Sequence, residues 1–197
     1  MTRDELTELG YIVPIATVPS ILRRGILSHK RAENVAHESI ALEGVQDRRA
    51  RVIVPKGRPL HEYANLYICA RNPMLLRRRE LHAQICVLRV SSDVLDISNV
   101  VVTDSNAASK YVRFSPAPRG LAIVESERTF ARSWNHPGDQ IEHWRHSAQK
   151  CAEVLVPDVV PIRYIIGAYA SCEESHQALV AAGFNLPVTG NRDLFFV

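Results

Sequence analysis

A glutamate stands at the threshold of an apolar run in the segment Lys150-Cys151-Ala152-Glu153-Val154-Leu155-Val156. An ionised carboxylate entering a core costs free energy unless it is paired or hydrogen-bonded. By spacing alone, Glu153 is either half of a strand-edge ion pair with an arginine or a carboxylate kept for chemistry. Arginines are plentiful: of the 24 Lys and Arg residues, only Lys30, Lys56, Lys110 and Lys150 are lysines. Arg48, Arg49 and Arg51 form one cluster, and Arg71 with Arg77, Arg78 and Arg79 another. Such a cluster is either a solvated basic surface or a grip on a polyanion, because guanidinium binds phosphate bidentately and stacks on bases. A cleft joining an arginine to Glu153 would suit a reaction that develops positive charge on a sugar. The carboxylate would stabilise an oxocarbenium-like centre and orient a ribose hydroxyl, while the arginine held a pyrophosphate or activated the attacking group. Trp134 and Trp144 either stack on bases or pack in the core.

Several other chemistries are excluded. The chain has no G-x-G-x-x-G, no G-x-x-x-x-G-K-[ST] and no G-x-S-x-G, so dinucleotide-fold, P-loop and common serine-hydrolase readings fail. His143 and His146 lie three apart but lack a second matched ligand pair, so no metal site is expected. Cys69, Cys86, Cys151 and Cys172 are widely spaced without C-x-x-C and read as reduced thiols. A length of 197 residues with 46% apolar content and net charge +3 fits one globular domain. No apolar run approaches the length of a membrane span, and MTRDELTELGY lacks a basic-then-apolar leader, so a cytoplasmic location is expected.

The elements that must position these residues read as α+β. A strand is expected at residues 11–15, then a helix capped by Thr17 or Ser20, with Pro19 in its first turn. Ile21, Leu22 and Ile26 would face inward, and Gly25 falls near the end. Residues 29–44 read as loop with a helical turn, and residues 45–60 as loop. Further strands are expected at residues 66–69, 82–90, 94–102, 152–156, 161–168 and 194–197. Helices are expected after Asn72-Pro73, at residues 106–112 and at residues 172–182, the last ending at Gly183. Residues 115–150 read as irregular, and a long loop region inside a compact domain is more often functional than idle.

Five blocks carry a resemblance: YIVPIATVPSILRRGILS (residues 11–28), VQDRR (45–49), LHEYANLYICARNPML (60–75), TDSNAASKYVRF (103–114) and KCAEVLV (150–156). Together they resemble the DarT family, the toxin half of toxin–antitoxin pairs that ADP-ribosylate single-stranded DNA. The resemblance implies an ADP-ribosyltransferase fold like that of the poly(ADP-ribose) polymerases: two packed antiparallel sheets around an NAD cleft, with helices on the flanks. It implies NAD as donor, no metal, thymine or guanine in single-stranded DNA as acceptor, and a macrodomain-type antitoxin as partner. The family's catalytic glutamate and arginine fall on Glu153 and Arg49. Tyr11, Ile12, Pro14, Ser20, Arg49 and Met74 are the implied NAD contacts. Tyr11 and Pro14 stand where some members have histidines. The implied DNA contacts are Arg48, Arg51, Arg71, Trp134, Asn135, His136, Trp144 and Arg145, several of them in the loop that leads to the glutamate. Alternatives are a nucleic-acid-binding module with weakened catalysis, a transferase acting on RNA or protein, and an NAD glycohydrolase.

Overall fold

The segment ICVLRVS is apolar and rich in β-branched residues, and it becomes a central strand buried on both faces. The computed structural model describes residues 1–33, 35 and 43–197; half of the expected loop at 29–44 lies outside them. In chain order the elements are β1 (Glu8–Pro14), α1 (Val18–Arg24), β2 (Ile26–Leu27), α2 (His29–Ala32), α3 (Glu43–Ala50), β3 (Tyr63–Tyr67), α4 (Pro73–Leu76), β4 (Ile85–Ser91), β5 (Val101–Thr103) and β6 (Phe114–Pro116). They continue with α5 (Ser126–Phe130), α6 (Gln140–Gln149), β7 (Glu153–Pro157), β8 (Val159–Val160), β9 (Ile165–Ala170), α7 (Glu173–Ala181) and β10 (Val188–Gly190).

The described strands form one eight-stranded sheet in the order β10-β9-β4-β1-β3-β7-β5-β6, and a ribbon of β2 with β8. Pairing is antiparallel except between β9 and β10. The architecture is therefore mixed α+β around a large, mainly antiparallel sheet. Its weakest seam is functional in its consequence. β1 pairs with β4 along its whole length, from Glu8↔Ser91 to Pro14↔Ile85. It meets β3 at one pair only, Gly10↔Tyr67. The close approach at that point needs glycine, since a Cβ on Gly10 would lie 2.6 Å from the Ala70 Cβ. Beyond the seam the strands diverge and a cleft opens between them.

The side-chain period of two then decides what faces the cleft. Val154 and Val156 of β7, and Ala64 and Leu66 of β3, enter the main core. Glu153, Leu155, Tyr63, Asn65 and Tyr67 are left for the opposite face. Two turns fix the chain around it. Gly25 ends α1 at φ +80°, and a Cβ there would lie 2.4 Å from the Val160 carbonyl oxygen, so only glycine lets the ribbon close. Asn72 caps α4, accepting from the N–H groups of Met74 and Leu75 at 3.0 and 3.1 Å. The helix expected after Asn72-Pro73 is thus present.

Other expectations are corrected. Residues 45–60 are not all loop, for Glu43–Ala50 is α3; its run of charges lacks the apolar stripe that reveals a surface helix. Residues 94–102 do not form one strand. The Ser91 side chain accepts from the Asp93 N–H and starts a tight turn over Ser92–Asp96, so that only β5 pairs. Residues 106–112 are not helical but form successive tight turns, with the Ser109 N–H on the Asn106 carbonyl at 2.8 Å and the Val112 N–H on the Ser109 carbonyl. Residues 115–150 contain α5 and α6. Asp139 caps α6 by accepting from the Glu142 N–H at 2.9 Å, a D-x-x-E signal the residues carried. Residues 194–197 turn instead of extending, with the Leu194 N–H held by the Asn191 side chain. The strand expected at 161–168 begins later, at Ile165.

Candidate active site

Glu153 is the first residue of β7 and is wholly buried, at 0% exposure. Its backbone N–H donates to the Thr103 hydroxyl at 3.0 Å, and that hydroxyl donates onward to the Ser105 carbonyl at 2.7 Å. Its carboxylate is met by the Arg49 guanidinium in a fork. Nη1 donates to Oε1 at 3.0 Å and Nη2 to Oε2 at 2.9 Å. The Ala107 N–H adds a third bond to Oε1 at 3.0 Å. A carboxylate has about four lone-pair sites, so Oε2 keeps room for one more donor. The pairing answers the cost of burial: two charges are removed from water together, in the geometry that compensates best.

Arg49 sits in the last turn of α3 and is 6% exposed. Burial opposes its charge, but the Glu153 carboxylate outweighs burial and holds the guanidinium above its ordinary range. Arg49 therefore stays a cation. Tyr67, opposite Glu153 in the β3–β7 register, has its phenol pushed well up by burial and then by the Glu153 charge. Burial and the same carboxylate push the Cys151 thiol up to about 12, which keeps it un-ionised.

The pair lies at the back of a cleft of about 530 Å³, within the range of small-molecule sites. Arg49, Tyr67, Asn65 and Cys151 line it; Glu153 is not itself part of the lining and touches the cleft only through Arg49. Ile12, Pro14, Ser20 and Met74 line the cleft as well. Tyr11 does too, though its ring packs partly on the main core and burial lifts its phenol to about 12. Residue reading missed several lining groups, including His61, Tyr63, Asn65 and Tyr67. All four lay inside or beside the quoted blocks, and the β3 residues follow from strand alternation once Glu153 is placed.

The structure divides the residues expected at DNA. Arg48 lines the cleft and is exposed. Trp144 is 65% exposed and lines the same cleft from α6. Arg145 is exposed and pairs with Glu142 at 3.2 Å, and Asn135 and Arg51 are exposed away from the cleft lining. His136 is tied to the buried His146 through a ring-to-ring bond of 2.8 Å. Trp134 and Arg71 are brought elsewhere. Trp134 is 9% exposed, edge-on to Phe196 with ring centroids 6.0 Å apart, and so has no free face for a base. Arg71 donates to the carbonyls of Arg132 and Asp193 at 2.6 and 3.1 Å and covers the Phe196 ring, fastening the C-terminal turn. The buried Lys150 ammonium likewise fastens the approach to Glu153. It donates to the Thr129 and Ala131 carbonyls, each at 2.8 Å, and lies 3.3 Å from the Cys69 Sγ. Among the described residues no group of His, Cys, Asp and Glu is arranged to hold a metal ion, and no helix is long and apolar enough to cross a membrane.

Comparison with known proteins gives this geometry a family. The model of the family described as "ssDNA thymidine ADP-ribosyltransferase, DarT" matches residues 11–196. A DNA ADP-ribosyl transferase–DNA ADP-ribosyl glycohydrolase fusion protein of Thermosipho africanus is 33% identical over 204 residues, covering 96% of this chain and 50% of its own. The chain thus spans about half the length of that relative. The solved structure of Thermosipho africanus DarTG in complex with ADP-ribose has a TM-score of 0.83 at 28% identity, covering 97% of this chain and 51% of that one. Thermus sp. 2.9 DarT in complex with ADP-ribosylated ssDNA has a TM-score of 0.85 at 24% identity, covering 99% of each chain. A match to the family model over nearly the whole chain, on a fold that joins Arg49 to Glu153 at the back of a cleft, shows that this chain belongs to the DarT family.

Proposed function

We propose that this protein transfers ADP-ribose from NAD to thymidine in single-stranded DNA and releases nicotinamide. The observation that carries the reading is the buried fork of Arg49 on Glu153 behind a ligand-sized cleft. The family description names single-stranded DNA thymidine as acceptor, which favours thymine over guanine. The relatives bound to ADP-ribose and to ADP-ribosylated DNA support the same donor and acceptor.

In this reading the nicotinamide ribose lies against the ion pair. The bond between its anomeric carbon and the nicotinamide nitrogen breaks, and the pair of electrons leaves with nicotinamide. The remaining Oε2 lone pair of Glu153 takes the hydrogen bond of a ribose hydroxyl, and the carboxylate charge stabilises the oxocarbenium-like centre. A thymine nitrogen then bonds to that carbon and loses its proton to solvent. Arg49 orients the reacting groups and balances charge. Its own proton is held too firmly for it to serve as base. A base stacked in a duplex cannot reach such a cleft, which favours single strands.

The finer fold assignment is part of the proposal. The sheet's halves, β10-β9-β4-β1 and β3-β7-β5-β6, share one pair at the seam, and this supports reading them as the two sheets around an NAD cleft of the poly(ADP-ribose) polymerase type. So is the biological setting: one transferase domain, cytoplasmic, acting as a toxin opposed by a macrodomain-type antitoxin. The fusion of transferase and glycohydrolase in the Thermosipho africanus relative supports that partnership.

Incubation with labelled NAD and single-stranded DNA, RNA or no acceptor tests the function. Label on thymidine-containing single strands alone is expected. Label on RNA or protein, or free ADP-ribose without transfer, would overturn it. The DNA surface has its own test. Trp144→Ala removes an exposed ring at the cleft mouth and should weaken single-strand binding roughly 5- to 100-fold, the range for one lost base stack, while leaving the melting temperature unchanged. Unaltered binding in a titration of labelled oligonucleotide would remove Trp144 from that surface.

A further inference from the structure

Asn106 stands in the turn that follows β5, and it lines the cleft, as do Trp144 and Ser147 of α6. Its hydrogen-bonding groups are committed one by one. The backbone N–H donates to the Ala148 carbonyl at 2.9 Å, and the backbone carbonyl accepts from the Ser109 N–H at 2.8 Å. The side chain accepts from the Ala108 N–H at 2.9 Å. Only the oxygen of a carboxamide can accept an N–H, so Ala108 fixes which end is Oδ1 and leaves Nδ2 as the one group to spare. Nδ2 meets no partner among the described residues, and it is not a sealed orphan: it keeps accessible surface on a half-buried side chain in the cleft wall. The neighbouring Ala107 N–H is the one that holds Glu153 Oε1 at 3.0 Å. The turn thus ties this carboxamide on one side to the Glu153 carboxylate and on the other to α6, the helix that carries Trp144.

What such a group recognises follows from its chemistry. Arg48, Arg77 and Arg78 bring cations to the cleft, and these suit phosphate. The Asn106 amide is a neutral donor with its acceptor already used, and its complement is a carbonyl oxygen. Thymine in a strand has its N1 on the sugar, so N3 is the nitrogen that bonds to the anomeric carbon. A carbonyl, O2 or O4, flanks N3 on each side. As N3 gives up its proton to solvent, negative charge spreads onto both oxygens, and a donor fixed in advance beside one of them favours the transition state. We infer that Asn106 Nδ2 donates to a carbonyl oxygen flanking N3 of the acceptor thymine and stabilises the charge that gathers there. The inference rests on the reading that thymine is the acceptor. Asn106 is then a base-reading residue held rigidly against Glu153, on the side of the cleft where Trp144 offers a ring to stack on.

The test sets Asn106→Ser against the wild type. A serine hydroxyl still accepts from the Ala108 N–H and keeps the turn, but the amide donor is gone. Transfer to thymidine strands should fall roughly 10- to 100-fold, as for one hydrogen bond to a developing charge, with NAD affinity and melting temperature unchanged. The acceptor itself separates contact from structure. Strands carrying 2-thiothymine or 4-thiothymine replace one flanking oxygen with sulfur, a weaker acceptor. On the strand altered at the contacted oxygen, the rate advantage of wild type over Asn106→Ser should shrink at least about threefold. Which of the two strands does so tells whether O2 or O4 is held. A second measurement needs no variant. With ¹⁵N-asparagine-labelled wild-type protein and a non-hydrolysable NAD analogue, the Asn106 side-chain amide protons should move downfield when a thymidine strand is added. An advantage unchanged on both thio strands, a loss of NAD affinity matching the loss of transfer, an unmoved amide, or full transfer by Asn106→Ser would overturn the assignment of Asn106 while leaving thymine as the acceptor. Wild-type protein that labels no thymidine would instead overturn the acceptor reading itself.

Discussion

Glu153→Gln should lower ADP-ribose transfer to single-stranded DNA by a factor of at least about 10²–10³, the scale of losing one preorganised electrostatic stabiliser of a transition state. The substitution keeps shape and removes charge. The amide oxygen of the new side chain could still accept from the Ala107 N–H, which now lies 3.0 Å from Oε1. What it cannot supply is a full negative charge facing the anomeric carbon as positive charge builds there. Ground-state binding depends less on that charge, so NAD affinity should fall by no more than about tenfold, and the defect should appear in turnover instead. Stability will also drop, because Arg49 is buried against this carboxylate and would lose its counter-charge. Glu153→Asp is the companion variant. It retains the charge but draws it back by one methylene, so it should stay better folded than Glu153→Gln and still transfer poorly. Labelled-NAD transfer, nicotinamide release and a thermal melt on both variants separate the effects. Transfer by Glu153→Gln at the wild-type rate would rule out a catalytic role for this carboxylate.

That Glu153 needs a partner was legible before any coordinates, with Arg49 singled out by the family resemblance; the path by which the chain brings the two together was not. An ionisable residue leading an apolar β-branched run has few physical options, and an arginine-rich chain supplies the commonest partner. Glu153 with Arg49 is one such pair, 104 positions apart in the chain and joined by two hydrogen bonds. The strands at the centre of the sheet were equally open to reading, since β1, β4 and β7 are nearly continuous apolar runs. α3 was hidden because its sequence, EGVQDRRA, carries no apolar stripe, and docking of Arg49 holds it where propensity would not. The turn at residues 106–112 was misread for a related reason. It winds as tight turns that bring the Ala107 N–H onto the Glu153 carboxylate, a long-range contact no local pattern announces. Trp134 and Trp144 are alike in sequence terms, ten positions apart. The nearby Phe196 and Lys150 decide that only Trp144 keeps a free face.

Arg49→Ala should be the most damaging single substitution to the fold of the site, and its signature differs from that of Glu153→Gln. It leaves a carboxylate with no solvent exposure facing one backbone N–H and no cation. Breaking a buried pair in this way costs about 3–5 kcal/mol, which for a domain of this size lowers the melting temperature by roughly 6–20 °C. The sign of its pH dependence follows from the unpaired charge. In the variant the folded state takes up a proton on this carboxyl more readily than the unfolded chain does, so relative stability should rise as pH falls from neutral toward the carboxylate range. Arg49→Lys then separates structure from chemistry. An ammonium restores the charge but not the planar fork that meets both carboxylate oxygens at 2.9 and 3.0 Å. Much of the lost stability should return, with the acid-side recovery gone, while DNA transfer stays at least about tenfold below wild type. Thermal melts of the three proteins between neutral and mildly acid pH, beside transfer assays, read all of this out. If Arg49→Lys regained stability and full activity together, the fork would be a structural brace only, and orientation of the reacting groups would have to come from elsewhere in the cleft.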